Sequence, residues 1–85
     1  MTTYNVTSGQ TTSGLILDYQ DVGYIYDGGI TNGTVVNYGG SEQIYSGGRA
    51  SGTVVSGGSE QIYSGGIASG TVVTNGGTEN INSEA

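Results

Sequence analysis

The chain has 85 residues, a formal net charge of −6, 18 glycines, and no cysteine, histidine or proline. The lack of Cys excludes disulfides, thiolate zinc sites and thiol redox chemistry, and the lack of His removes the commonest general base and metal ligand. The single basic residue, Arg49, argues against nucleic acid and anionic membranes as partners. Because no apolar run is long enough to span a bilayer, we expect no membrane insertion by this segment.

The sequence repeats itself with a period of 18 or 19 residues. The string G-T-V-V begins at Gly33, Gly52 and Gly70, and E-Q-I-Y-S-G-G begins at Glu42 and Glu60. Internal repeats of this length are typical of stacked architectures. The pattern divides a single repeat module, 1–85, into a half-copy at 4–8 and four copies at 9–27, 28–46, 47–64 and 65–83.

Each copy contains two short stretches rich in β-branched and aromatic residues, separated by glycine pairs. In the third copy these stretches are 53–55 and 61–63. Helix is disfavoured because glycine is frequent and no apolar residue recurs at helical spacing. One copy cannot bury a face alone, but stacked copies can. The sequence therefore predicts an all-β parallel solenoid of about four rungs, with corners at glycine pairs that adopt positive φ.

In-register stacking would place equivalent residues ~4.8 Å apart. Two apolar columns are predicted to lie inside: Val6, Ile25, Ile44, Ile62 and Ile81; and Ile16, Val35, Val54 and Val72. A third apolar column has the opposite parity, and the sequence leaves open whether it faces inward or outward: Leu17, Val36, Val55 and Val73.

The pattern A-S-G-T-V-V-x-G-G-S-x-Q between Ala50 and Gln61 resembles the passenger repeat of AIDA-type autotransporter adhesins, self-associating surface proteins of Gram-negative bacteria. The resemblance covers nearly the whole chain and is clearest from Gly28 to Gly77, whereas the first copy departs from it. It implies a right-handed parallel β-helix secreted through its own C-terminal β-barrel. Since the sequence has neither a signal peptide nor a barrel, we expect a segment of a longer passenger that is modified in the cytoplasm and then displayed at the cell surface or outer membrane, or secreted.

The resemblance also implies that a cytoplasmic heptosyltransferase adds heptose to serine hydroxyls of the repeat. The alternative is that these serines are turn formers that bond to their own backbone. Ser51 and Ser69 are favoured as acceptors because the same A-S pair precedes the G-T-V-V string at both. The full set of acceptor candidates is Ser51, Ser69, Ser46, Ser64, Ser59 and Ser13.

Tyrosine and glutamate also recur in phase. Tyr26, Tyr45 and Tyr63 predict a surface aromatic strip, which either stabilises the ladder or binds sugars or another solenoid. Aligned glutamates should repel one another, so they are expected to splay or to attract a cation: Glu42, Glu60 and Glu79. No specific metal site is expected, because the glycine- and aspartate-rich calcium-repeat pattern is absent.

The function predicted by the resemblance is that of an adhesin passenger segment that mediates surface adhesion and autoaggregation and accepts heptose. Its expected partners are a heptosyltransferase, other solenoids through edges or faces, and the host cell surface. The alternative is an unglycosylated solenoid that acts only by self-association. A polysaccharide-acting β-helix enzyme is a distant alternative, because Asp18, Asp21 and Asp27 are explained by corner turns. We expect no catalytic residues and no cofactor.

Overall fold

The computed structural model describes residues 2–81, and every regular element in that range is a β-strand. Among these residues no helix is long and apolar enough to cross a bilayer. The thirteen strands in chain order are β1 Thr3–Val6, β2 Thr11–Ser13, β3 Ile16–Leu17, β4 Val22–Ile25, β5 Ile30–Asn32, β6 Val35–Val36, β7 Ser41–Ile44, β8 Arg49–Ser51, β9 Val54–Ser56, β10 Ser59–Ile62, β11 Ile67–Ser69, β12 Val72–Thr74 and β13 Thr78–Ile81.

The strands form three parallel sheets that run along one solenoid. Sheet A has the order β1-β4-β7-β10-β13, sheet B has β2-β5-β8-β11, and sheet C has β3-β6-β9-β12. Equivalent residues of successive copies are direct register partners, for example Ile25 with Ile44 and Ile44 with Ile62. The predicted parallel β-solenoid of about four rungs is therefore confirmed.

Each full rung contains three strands, so the expectation of two per copy was wrong. The strand that the sequence reading missed is the one in sheet B, represented in the third rung by Arg49–Ser51. Its members mix charged, small and polar residues, and they lack the β-branched clusters that identified the other strands. This sheet forms because each of its strands pairs with the equivalent strands of the neighbouring rungs, and not because its residues have a high intrinsic β propensity.

Glycine pairs form the corners, but their two members serve different purposes. The first glycine has positive φ, as at Gly28 with φ of 80°. The second has no room for a side chain: a Cβ on Gly29 would collide with the carbonyl oxygen of Val6 in the rung below. A further corner, between sheets B and C, uses a single glycine with positive φ in each rung, namely Gly14, Gly33, Gly52 and Gly70.

Val6, Ile25, Ile44 and Ile62 form the buried apolar column of sheet A, as predicted. Ala50 of sheet B packs against this column. The fifth predicted member, Ile81, is exposed in the last described strand.

The prediction that Ile16, Val35, Val54 and Val72 lie inside was wrong. Ile16 is 52% exposed, whereas its neighbour Leu17 is fully buried. The inward column of sheet C consists of Leu17, Val36 and Val55, packed together with Leu15. The physical reason lies one residue upstream, because the polar Thr34 and Thr53 are themselves fully buried. Alternation along each strand then sends the first valine outward and the second inward.

The corner between sheets C and A is one residue shorter in the third rung. There Ser56, Gly57 and Gly58 replace the four residues 37–40 of the second rung. Ser56 lies beside Thr74 in the register, and Gly57 has the positive φ that Gly39 has in the second rung, so the position of Tyr38 is the one omitted. The solenoid absorbs this deletion without losing strand register on either side.

Candidate functional site

The serines favoured by the sequence form one column on the outer end of sheet B. Ser13, Asn32, Ser51 and Ser69 are consecutive register partners at the ends of β2, β5, β8 and β11. Ser13 and Ser69 are exposed, and Ser51 is half-buried. Each residue precedes the glycine of the B–C corner, and no side chain lies within 4 Å of the Cβ position of that glycine. A Cβ on Gly70 would have only the backbone of Gly52 within contact distance. The hydroxyls therefore stand beside bare, accessible backbone.

Ser46 and Ser64 are exposed at the opposite end of sheet B, in the corner between sheets A and B. This corner is more crowded: a Cβ on Gly65 would lie 2.5 Å from the Ser46 hydroxyl oxygen. Ser59 lies elsewhere, at the start of β10 in sheet A, where it is half-buried between Ser41 and Thr78 in the register. The structure thus distributes the six predicted acceptors over three separate columns.

Tyr26, Tyr45 and Tyr63 stack in one column, and Tyr24 adds a fourth ring. Tyr45 stacks on Tyr26 with ring centroids 5.3 Å apart and on Tyr63 with centroids 4.8 Å apart, and the latter planes differ by only 2°. Tyr24 joins from sheet A at 6.1 Å from Tyr45. Because Tyr45 has a ring on each face, it presents only its edge to solvent. This arrangement favours ladder stabilisation over sugar stacking at that ring.

Hydrogen bonds tie the strip to the sheet. The hydroxyls of Tyr45 and Tyr63 both donate to Oε1 of Gln43, at 3.0 and 3.2 Å. The pKa of the Tyr45 phenol is raised, first by partial desolvation and then by the neighbouring phenols of Tyr63, Tyr24 and Tyr26. Tyr45 therefore stays protonated and can donate its hydrogen bond to Gln43 at physiological pH.

A second aromatic pair, which the sequence reading missed, lies at the C–A corner. Tyr19 and Tyr38 stack with centroids 6.5 Å apart and planes inclined by 12°. The signal was present in the sequence, since both residues follow the apolar pair of sheet C by two positions. The column stops there because the third rung lacks the residue that would continue it.

The expectation that the aligned glutamates splay apart was wrong for Glu42 and Glu60. They are register partners in β7 and β10, and both are fully buried inside the solenoid. Glu42 accepts hydrogen bonds from Thr31 and Thr53, each long at 3.4 Å. Glu79 continues the column in β13.

Glu60 accepts neither of the two hydroxyl hydrogen bonds that Glu42 accepts. The hydroxyl of Thr71, the counterpart of Thr53, makes no hydrogen bond. The register partner of Thr31 in the third rung is Ala50, and no hydroxyl or amide donates to either Glu60 carboxyl oxygen. Burial, with hydrogen bonds to the side chains of Glu42 and Glu79 and the charges of those groups, raises the pKa of Glu60 to about 10. A protonated Glu60 can share its proton with a neighbouring carboxyl group, which removes the charge that the interior cannot solvate.

The outer surface of residues 2–81 presents serine hydroxyls and tyrosine rings. Among residues 2–81 no group of three or more His, Cys, Asp or Glu side chains is placed to hold a metal ion. Glu42 and Glu60 are fully buried inside the solenoid, whereas Glu79 in the last described strand is partly exposed. What repeats on the outside is a column of serines at one end of sheet B and tyrosines along sheet A.

The fold defines the chain as a parallel β-solenoid built from stacked, in-register repeats. Residues 20–77 match the family model described as "Adhesin of bacterial autotransporter system, probable stalk". The match covers more than half of the chain, so the chain belongs to this family of adhesin passenger stalks. The resemblance inferred from the A-S-G-T-V-V repeat is confirmed.

A solved structure gives the same fold. It is the crystal structure of the TibC-catalysed, hyper-glycosylated TibA55-350 fragment, with a TM-score of 0.81 and 25% sequence identity. The alignment covers 91% of this chain and 35% of that one, so the chain spans about a third of the TibA fragment. A comparison with curated protein sequences found no match.

Proposed function

We propose that this chain is a stalk segment of a bacterial surface adhesin whose exposed serines accept heptose from a heptosyltransferase. The observation that carries the proposal is the column of Ser13, Ser51 and Ser69, each followed by a glycine corner without neighbouring side chains. A transferase could read the same local shape at each rung. The TibA fragment, which has the same fold and is hyper-glycosylated by TibC, supports this kind of modification.

The transfer itself would consume a nucleotide-activated heptose. The serine Oγ forms a bond to the anomeric carbon, the nucleotide diphosphate leaves with its electron pair, and the serine proton passes to a base of the transferase or to water. This chain supplies only the hydroxyl and its presentation. Ser51 and Ser69 are the preferred acceptors because residues 50–55 and 68–73 have the same sequence and matching strands.

Co-expression with a heptosyltransferase that modifies autotransporter adhesins, followed by intact mass and peptide mapping, tests the proposal. We expect increments of one heptose residue that map to Ser51 and Ser69. Ser51→Ala and Ser69→Ala should each remove one increment. Ser56→Ala is the matched control, because Ser56 accepts a hydrogen bond from Asn75 at 2.8 Å and belongs to another sheet. An unmodified chain, or heptose on Ser56 alone, would contradict the proposal.

The second candidate function is lateral self-association of an unglycosylated solenoid. The flat strip of Tyr24, Tyr26, Tyr45 and Tyr63 favours it, since aligned aromatic edges can interdigitate with a second copy. Sedimentation across a concentration series separates the two functions. Association that Tyr26→Ser abolishes, in a chain that a transferase leaves unmodified, would favour this candidate.

A further inference from the structure

A groove lies over the shortened corner of the third rung. Its volume is about 380 Å³, which is within the range of small-molecule pockets. Its cause is the deletion itself: the second rung places Tyr38 at this corner, whereas in the third rung Gly57 follows Ser56 directly. We name it the short-corner groove, and its lining residues are Tyr19, Tyr38, Gly39, Gly40, Ser41, Gly57, Gly58, Ser59, Gly76 and Thr78.

Tyr38 gives the groove an aromatic wall. The ring is 76% exposed and stacks on Tyr19 of the first rung. Within the described residues no third ring follows, because the third rung omits the position that Tyr38 has in the second. Tyr45 in the other column, by contrast, is covered on both faces. Tyr38, which ends its stacked column, therefore lines the groove with an exposed ring.

Hydroxyl groups line the groove along sheet A. Ser41, Ser59 and Thr78 are consecutive register partners at the starts of β7, β10 and β13, so their side chains follow one another at ~4.8 Å. No charged side chain is among the lining residues. An aromatic face beside a row of neutral hydroxyls matches the chemistry of a neutral saccharide, which has a face of C–H bonds and a rim of hydroxyls.

The floor of the groove is fixed by contacts that exclude side chains. A Cβ on Gly39 would collide with the Tyr19 ring, and a Cβ on Gly58 would lie 2.6 Å from Cγ1 of Val36 and would also collide with the Asn37 carbonyl oxygen. The groove is thus kept open by the packing of the rungs below and does not depend on a mobile loop. A ligand would meet a preformed surface, which lowers the entropy cost of binding.

We propose that the short-corner groove binds a neutral saccharide, with a sugar ring stacked on the open face of Tyr38 and its hydroxyls hydrogen-bonded to Ser41, Ser59 and Thr78. The partially positive axial C–H groups of the sugar face the negative face of the phenol ring. Two sources could supply such a ring: a free glycan of a cell surface, or a sugar carried covalently on a serine of an adhesin chain. The inference does not require that this chain is itself glycosylated.

The test is NMR titration of the full, unmodified chain with methyl mannoside, methyl glucoside and their neutral trisaccharides. We expect saturable shifts at the amides of residues 39, 57, 58 and 76, and at least tenfold weaker binding in Tyr38→Ala. The matched control is Tyr63→Ala, which lies outside the groove and should leave binding unchanged. Insertion of one tyrosine between Ser56 and Gly57 restores the full-length corner and should abolish binding. Thermal melts establish that each variant is folded.

Three outcomes would overturn the inference. The first is the absence of shifts up to tens of millimolar sugar, and the second is binding that survives Tyr38→Ala. The third is that raising the concentration of the chain without sugar produces the same shifts. The heptosylated chain distinguishes the two sources. If a carried sugar fills the groove, nuclear Overhauser contacts join it to Tyr38 and free saccharide no longer binds. If the groove serves free glycans, the titration is unchanged by modification. Failure of heptosylation would leave the titration of the unmodified chain intact, so the two proposals fail separately.

Discussion

Glu60 lies directly against Glu42 in adjacent parallel strands, and both carboxyl groups are enclosed by the solenoid. Two ionised carboxylates at this spacing in a low-dielectric interior would be strongly unfavourable. Glu42 is served by two threonine hydroxyls, so the proton resides on Glu60. The column therefore makes the stability of the stalk depend on pH.

We predict that the chain is most stable in mild acid. Glu60 titrates near its ordinary 4.5 when unfolded and at about 10 when folded. Below pH 4.5 both states are protonated and stability is fully present; above it only the unfolded state ionises, so stability falls as pH rises. We expect stability to fall between pH 5 and 8 by up to about 1.4 kcal/mol per pH unit, which is the limit for one group that ionises only in the unfolded state. Urea unfolding followed by circular dichroism measures this slope.

Glu60→Gln is the variant that isolates the effect, because it removes the ionisable group and keeps the shape. Its unfolding free energy should be nearly independent of pH and should exceed that of the parent chain at pH 8. Asp27→Asn, at an exposed carboxylate, should keep the parental slope. A steep slope that persists in Glu60→Gln would assign the pH dependence to another group.

A second prediction concerns the missing hydroxyl beside Glu60. Ala50 occupies the register position that Thr31 has beside Glu42. Ala50→Thr should supply a donor to Glu60, favour its ionised form and lower its pKa, so that stability falls less steeply with pH. The added methyl and hydroxyl groups enter a fully buried site, and overpacking should cost about 1–3 kcal/mol at pH 4.5. Ala68→Thr, one rung further, is the control; an unchanged slope in Ala50→Thr would refute the donor account.

Two adjacent residues of β3, one buried and one exposed, should contribute very differently to the free energy of unfolding. Leu17→Ala should cost about 2–5 kcal/mol, because a fully buried leucine leaves a cavity. Ile16→Ala should cost less than about 1 kcal/mol, because that side chain is half in solvent. Chemical denaturation of both variants provides the comparison. Equal losses would contradict the inside-outside assignment.

We predict that the tyrosine strip stabilises the solenoid more than the Tyr19–Tyr38 pair does. Tyr45→Ala removes two stacked pairs and the hydrogen bond to Gln43, so we expect a loss of about 1–3 kcal/mol. Tyr38→Ala removes only a loose pair at 6.5 Å and should cost less than about 0.5–1 kcal/mol. Differential scanning calorimetry ranks the two. A larger loss for Tyr38→Ala would show that the corner pair, and not the strip, stabilises the solenoid.

The sequence by itself determined the repeat, the parallel register and one core column. Strings that recur at 18 or 19 residues force equivalent residues to stack, because only neighbouring rungs can satisfy each strand's backbone groups. The isoleucines at 25, 44 and 62 then lie above one another, flanked by outward polar residues. The stacked tyrosines follow from the same register.

Tertiary structure alone decided which valine of each pair faces inward and where the glutamates go. Two adjacent valines fit either parity, and Thr34 settles the choice only because its hydroxyl is buried, which polarity would not suggest. The burial of Glu60 could not be predicted from the sequence either, because a carboxyl group is stable in the interior only when it is neutral and hydrogen-bonded to a neighbouring group. The short-corner groove likewise depends on the stacking of three rungs. The residue omitted from the third rung leaves a groove only because Tyr38 lies in the rung below and Gly76 in the rung above.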